Sequence, residues 1–378
     1  MADMTQSKLP PEVAAGGQFV PVPAKVISER RGAVHSLTLN RPSALNAFDD
    51  EMRQIIADAI PAIARNPDIY VVVLKSASPK AFCAGGDVRV LTQTAITDIE
   101  RVKKYFRAEY ALNWLLECFS KPTVSLIDGI CMGSGAGLSC YNTHRVAGDG
   151  YRFSMPEAAI GLFPDVGVSH VLARMPWPLG LYLGLTGRVV ERADAHRLGL
   201  ATHCISSDAF GMIVEQLSDA QPIDPLLDGL HRDQPAGPLQ NEAGMIEELF
   251  SSDTLEGIMH NLETASGAAR HFAQKTLADL KAKSPMSLAI TDRHIRMTRH
   301  LDLRETLIQD YRLAVRCLED RDFYEGVRAA LIDKDHRPVW SPGALADITE
   351  TMIERYFRSL GDDDLTLPTR VEMQAARV

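Results

Sequence analysis

Glu157 and Asp165 bracket the stretch EAAIGLFPD, and everything between them is apolar or bends the chain. Carboxylates ordinarily keep to water or polar company. Two of them around a greasy, Gly/Pro-broken loop therefore allow two readings. In the first, Glu157 follows Pro156 and opens a short helix, where an N-terminal carboxylate is favoured, and Asp165, between Pro164 and Val166-Gly167, is a turn residue. In the second, an apolar pocket lifts a carboxyl away from its solution pKa and fits it for acid–base or nucleophilic work. The spacing alone leaves both open.

Two glycine-rich stretches, CAGGD at 83–87 and MGSGAG at 132–137, are the next candidates. Neither is a phosphate-binding P-loop or a dinucleotide-binding GxGxxG in its strand–helix context. Glycines let strands and helices pack closely. They also let a ligand approach backbone N–H groups. One N–H from each loop, aimed at one point, would make an oxyanion hole.

These groups need elements to hold them. KVISER (25–30) and AVHSLTLN (33–40), joined by Arg31-Gly32, suit a hairpin. Met52, Ile55, Ile56, Ala59, Ile60 and Ile63 share one helical face. The β-branched run at 69–75 and PTVSLI at 122–127 suit strands buried on both faces. A glycine loop follows soon after each, and residues 96–117 suit a long helix. Strand, glycine loop and helix thus recur, which implies α/β layering with right-handed crossovers. The expected organisation is a disordered segment 1–22, a core 23–220, a helical region 221–360 and a tail 361–378.

A chain of 378 residues accommodates a large core plus an appendage. Its net charge of −9 argues against a nucleic-acid surface. The six cysteines form no CxxC and no zinc spacing. They read as reduced thiols, so a cytoplasmic location is expected. The N-terminal residues have neither an apolar signal core nor an Arg-rich transit composition, and no apolar run is long enough for a membrane span.

In this order, RPSALNAF (41–48), AFCAGGDVR (81–89), KPTVSLIDGICMGSGAGLS (121–139) and MPEAAIGLFPDVG (155–167) resemble the crotonase, or enoyl-CoA hydratase/isomerase, superfamily. FRAEYALN (106–113), SPMSLAIT (284–291) and DFYEGVRAALIDKDHRPVW (322–340) are similar to its 3-hydroxyisobutyryl-CoA hydrolase branch.

The resemblance implies an α/β fold, a crotonase-like spiral of ββα units with a C-terminal helical region. It implies a thioester hydrolase of valine catabolism, acting on 3-hydroxyisobutyryl-CoA and also on 3-hydroxypropionyl-CoA. The alternatives are an enoyl-CoA hydratase/isomerase, or a non-catalytic relative that binds acyl-CoA or RNA. Carried over by position, Glu157 and Asp165 are catalytic, and Gly86 and Ser134 supply the oxyanion N–H groups. Ser134 departs from the family's usual glycine. Glu109, Ala84, Gly85, Asp87, Gly133, Ala44 and Leu45 are expected around the acyl-CoA, with Arg41, Lys80 or Lys334 near its phosphates. Hydratases carry a second catalytic glutamate where this chain has Gly137. No metal or cofactor is expected beyond the coenzyme A of the substrate, and no nucleic acid or membrane partner. The resemblance is compatible with a homo-oligomer.

Overall fold

Val71, Val72, Val73 and Leu74 are all buried, which requires a strand covered on both faces. That strand lies near the centre of the computed structural model, which describes residues 23–377. The segment 1–22, expected to be disordered, lies outside the described residues.

The hairpin forms as β1 (Val26–Arg31) and β2 (Val34–Leu39), antiparallel, with Arg31 opposite Val34. The central strand is β3 (Val71–Ser76), followed by β4 (Ala81–Cys83), β5 (Thr123–Ile127), β6 (Ile130–Met132), β7 (His144–Ala147), β8 (Arg152–Ser154), β9 (Val190–Glu191) and β10 (His203–Cys204). A large sheet has the order β1-β2-β3-β5-β7-β10, and a small one the order β4-β6-β8-β9. From β3 to β8, successive strands alternate between the two sheets. That alternation is the ββα spiral.

The period-2 side-chain alternation of β3 divides the core. Val72 and Leu74 join the cluster of Met52, Ile56, Ile60 and Ile63 from α1 (Asp50–Arg65). Val71 and Val73 join Val124, Leu126 and Val146 in a second cluster under Ile213 and Leu217. Each such buried side chain contributes about 1.5–3 kcal/mol relative to exposure.

The long helix expected over 96–117 is two helices, α2 (Val88–Thr97) and α3 (Ile99–Cys118). Asp98 divides them. Its N–H closes α2 on Thr94 O at 2.8 Å, and its carboxylate caps α3 by accepting from Arg101 N at 3.0 Å.

The C-terminal helices share the first cluster, whose members range from Val26 to Met373. The helix Leu303–Glu319 lies against α3. The expected tail is docked. Leu365, Leu367 and Met373 are buried, Trp114 Nε1 donates to Pro368 O at 2.8 Å, and Arg370 pairs with Glu117 at 2.7 Å. Its polar residues resemble a tail in sequence, but a few apolar anchors and carbonyl acceptors suffice to hold it.

Candidate active site

Three parallel strands of the small sheet end side by side. Cys83 of β4 lies opposite Cys131 of β6, and Met132 opposite Ser154 of β8. The residues that follow, 84–86, 133–134 and 156–157, therefore leave the same edge together. Ligands of parallel α/β sheets commonly bind beyond the carboxyl ends of the strands. Here these loops line a cavity of about 310 Å³.

Two backbone donors meet at its wall. Among the described residues, neither Gly86 N–H nor Ser134 N–H has an acceptor. A Cβ added to Gly86 would stand 3.3 Å from Ser134 Oγ, so the two loops are in near contact. Ser134 opens α4 (Ser134–Ser139) directly after Gly133. Gly133 has φ +47°, and a Cβ there would lie 3.0 Å from Glu157 Oε1 and 3.3 Å from Gly85 Cα. Only glycine meets both demands comfortably.

Three carboxyls share the cavity: Glu109, Glu157 and Asp165 are only 3%, 7% and 8% exposed. Burial lifts the Glu109 pKa to about 7, while the Ser134 hydroxyl, Arg53 and the Tyr105 hydroxyl pull it down. Burial likewise raises Glu157, opposed by its own backbone N–H and by Lys283. Asp165 is raised by burial first and by the charges of Glu157, Glu109 and Asp310. Tyr110 opposes that shift, donating its hydroxyl to Asp165 Oδ2 at 2.7 Å. Glu109 Oε1 and Glu157 Oε2 are buried without a hydrogen-bond partner among the described residues. Such groups carry a desolvation cost and are available to a ligand.

The local reading of the EAAIGLFPD stretch is met by the backbone. Glu157 does open a 3₁₀ turn, Glu157–Ile160, and the Asp165 carbonyl accepts from Val168 N at 2.9 Å. A capping residue, however, has no need to be buried with an unpaired oxygen, as Glu157 is.

The structure brings Ala84, Gly85, Gly86, Glu109, Gly133, Ser134, Glu157 and Asp165 to one cavity. Asp87, Ala44 and Leu45 do not line it. Asp87 caps α2 through Val90 N and pairs with Arg41 at 2.8 Å. Arg41 is thereby occupied by Asp87 and by Ala47 O. Leu45 is tied to the first glycine loop, its carbonyl accepting from Ala84 N at 3.1 Å. Sequence reasoning missed Tyr110, which holds Asp165 and carries no periodic signal beside Glu109, and Asn113, four positions beyond Glu109, where the helical period offered one. It also missed Ala330 and Leu331, which close the cavity from the C-terminal region. No local pattern announces that distant wall.

Gly137, four residues after Gly133, faces a filled space. A Cβ there would lie 2.8 Å from Asn113 Nδ2 and 2.8 Å from Val166 Cβ. A larger cleft, of about 710 Å³, lies behind Met155 and Pro156. It contains none of the glycine-loop residues, and its Glu242 is already paired with Arg188 at 2.6 Å. The smaller cavity is therefore the better reaction site. Among the described residues no group of His, Cys, Asp or Glu is arranged to hold a metal, and no helix is long and apolar enough to cross a membrane.

The profile of the enoyl-CoA hydratase/isomerase family matches residues 34–357. Curated relatives named mitochondrial 3-hydroxyisobutyryl-CoA hydrolase include those of Xenopus tropicalis and Homo sapiens. The first is 39% identical, over 89% of this chain and 90% of the relative; the second is 38% identical, over 90% of each. Two solved structures share the fold at 34% identity. A carnitinyl-CoA dehydratase from Mycobacterium thermoresistibile has a TM-score of 0.85, over 90% of this chain and 98% of that one. An enoyl-CoA hydratase from Rhodobacter sphaeroides has 0.84, over 91% and 100%.

The expected cytoplasmic location is corrected by the relatives, which are named as mitochondrial. Unpaired thiols indicate a reducing milieu and do not single out the cytosol. The N-terminal residues, whose composition lacks a transit signal, lie outside those described.

Proposed function

Because the chain belongs to the enoyl-CoA hydratase/isomerase family, we propose that it is a 3-hydroxyisobutyryl-CoA hydrolase, the thioesterase of valine catabolism. The observation that carries this reading is the pairing of Glu157 with Asp165 in one cavity while Gly137 is walled in. A hydratase needs a second glutamate at that position, and here Asn113 and Val166 occupy its space. The curated relatives carry the hydrolase name at 38–40% identity.

In this scheme the thioester oxygen sits between the N–H groups of Gly86 and Ser134. Donors placed where charge develops are worth several kcal/mol, about 2.7–4 for one oxyanion-hole donor. In the general-base route, Glu157 takes a proton from water as the water oxygen attacks the carbonyl carbon. The tetrahedral oxyanion then collapses, the C–S bond breaks, and the proton returns from Glu157 to the coenzyme A sulfur. In the covalent route, the Glu157 carboxylate attacks the carbonyl carbon, the C–S bond breaks and coenzyme A leaves as the thiolate, and water then hydrolyses the mixed anhydride to free the hydroxy acid and regenerate Glu157. The raised Glu157 pKa suits a general base, whose efficiency improves as its pKa nears the working pH. Asp165, held by Tyr110, bonds the substrate 3-hydroxyl. The thiolate is a good leaving group, so the scheme draws on no metal or cofactor. Every group comes from one chain, so the scheme works in a monomer and in a homo-oligomer alike.

The names of the two solved structures favour a hydratase or dehydratase as the second reading. The two separate in one assay series. The hydrolase releases free thiol from 3-hydroxyisobutyryl-CoA and leaves the enoyl absorbance of crotonyl-CoA nearly unchanged. Loss of enoyl absorbance without thiol release would overturn the proposal. A single turnover in ¹⁸O-water separates the routes, since label enters the Glu157 carboxylate only through the anhydride.

A further inference from the structure

Val166, between Asp165 and Gly167, has φ +51°. A β-branched residue rarely adopts that left-handed conformation, and it persists only where its surroundings over-determine it. The surroundings are specific. Tyr141 donates its hydroxyl to Val166 O at 2.5 Å. Gly167 N donates to Asp310 Oδ2 at 2.7 Å, and the other oxygen of Asp310 lies 2.6 Å from His294 Nε2. Asp310 and His294 are wholly buried, and the His294 ring packs edge-on against Phe163 of the same loop, centroids 5.6 Å apart. They stand on the helices Leu303–Glu319 and Pro285–Thr298, outside the spiral.

The left-handed turn does two things at once. It presents Asp165 to the cavity, and it directs the Val166 side chain against Gly137, into the space a hydratase glutamate would need. We propose that the buried Asp310–His294 pair is a positioning clamp, which holds Val166 in its left-handed conformation and thereby sets both the placement of Asp165 and the closure of the Gly137 site. The proposal deepens the hydrolase reading and rests on the role given there to Asp165.

The test is a double-mutant cycle on the full-length protein, read as kcat and KM for 3-hydroxyisobutyryl-CoA. Asp310→Ala removes the acceptor of Gly167 N–H; Asp310→Asn keeps an oxygen there. The clamp predicts that D310A lowers kcat at least tenfold with KM changed less than threefold, and that D310N recovers most of the loss. Glycine adopts positive φ freely, so in a V166G background the D310A effect should shrink at least threefold. Should D310A fail to fold, Tyr141→Phe removes the other anchor by a single hydroxyl, and its kcat should fall about threefold at unchanged KM. An equal D310A effect in both backgrounds, or D310A or Y141F within experimental error of wild type, would overturn the clamp. Asp165→Ala is the control. If D165A loses activity while D310A keeps it, the clamp fails and the hydrolase reading stands; if D165A is fully active, the role of Asp165 is what fails.

Discussion

The two halves of the proposed active site are held in different ways. The donor half, Ala84–Gly86 and Gly133–Ser134, hangs from the ends of β4 and β6, whose main-chain ladder sets its position. The carboxyl half, Glu157 to Gly167, leaves β8 and then depends on side chains from remote elements. Tyr110 reaches Asp165, Tyr141 reaches Val166, and Asp310 reaches Gly167. Ser284 N donates to Ala158 O at 3.2 Å. A ladder tolerates changes of side chain, whereas a set of individual hydrogen bonds loses its geometry one partner at a time. The difference teaches that the donors are a property of the spiral, and the carboxyl geometry a property of the whole chain.

The largest expected effect follows from the chemistry of the carboxyl half. Glu157→Gln should lower kcat by about 10³-fold, within the range for a lost general base, while leaving coenzyme A affinity unchanged. A calorimetric affinity equal to wild type alongside the lost turnover would keep the halves separable. Near-normal turnover would show that Glu157 is not the catalytic group.

Gly137→Glu tests the junction of the halves. Even its Cβ must displace Asn113 or Val166, so the variant should lose upwards of about 3 kcal/mol from overpacking and gain no hydration of crotonyl-CoA. A denaturant midpoint like that of wild type, together with hydratase activity, would sink this account.

Glu109, between the halves, gives a pH-dependent effect. Its pKa is raised from the ordinary carboxyl value to about 7 in the fold. A carboxyl with a raised folded pKa favours the folded state below its unfolded pKa and loses that contribution as pH rises through the folded one. Wild type should therefore lose stability between about pH 4.5 and 7 relative to Glu109→Gln. The variant should be the more stable at pH 8, by at most about 3 kcal/mol, the free energy of a shift of that size. Parallel stability–pH curves for the two proteins would contradict the burial cost assigned to Glu109.

The smallest effect sharpens the role of Asp165. A site built to bond a hydroxyl rejects analogues that lack it. Asp165→Ala should shrink the preference for 3-hydroxyisobutyryl-CoA over isobutyryl-CoA, measured as the ratio of kcat/KM, by about tenfold, or about 1.4 kcal/mol. Equal losses on both substrates would assign Asp165 to the common chemistry.

By itself the sequence determined what rests on local pattern. The β-branched runs predicted buried strands, the spacing of Met52, Ile56, Ile60 and Ile63 predicted the face of α1, and the glycines marked where backbone lies open to a ligand. Glu157 and Asp165 were legible as a pair because carboxylates are conspicuous in an apolar stretch. Tertiary structure decided the rest. It turned Asp87 from a ligand candidate into a helix cap paired with Arg41, and it docked the presumed tail on Trp114 and Glu117. It buried Glu109, which the helical pattern alone could not tell from a solvated residue. It also closed the cavity with Ala330 and Leu331 and put Val166 in the space beside Gly137. The physical reason is range. Propensity and periodicity act over a few residues, whereas burial, desolvation and the partners of a hydrogen bond depend on which distant segments converge.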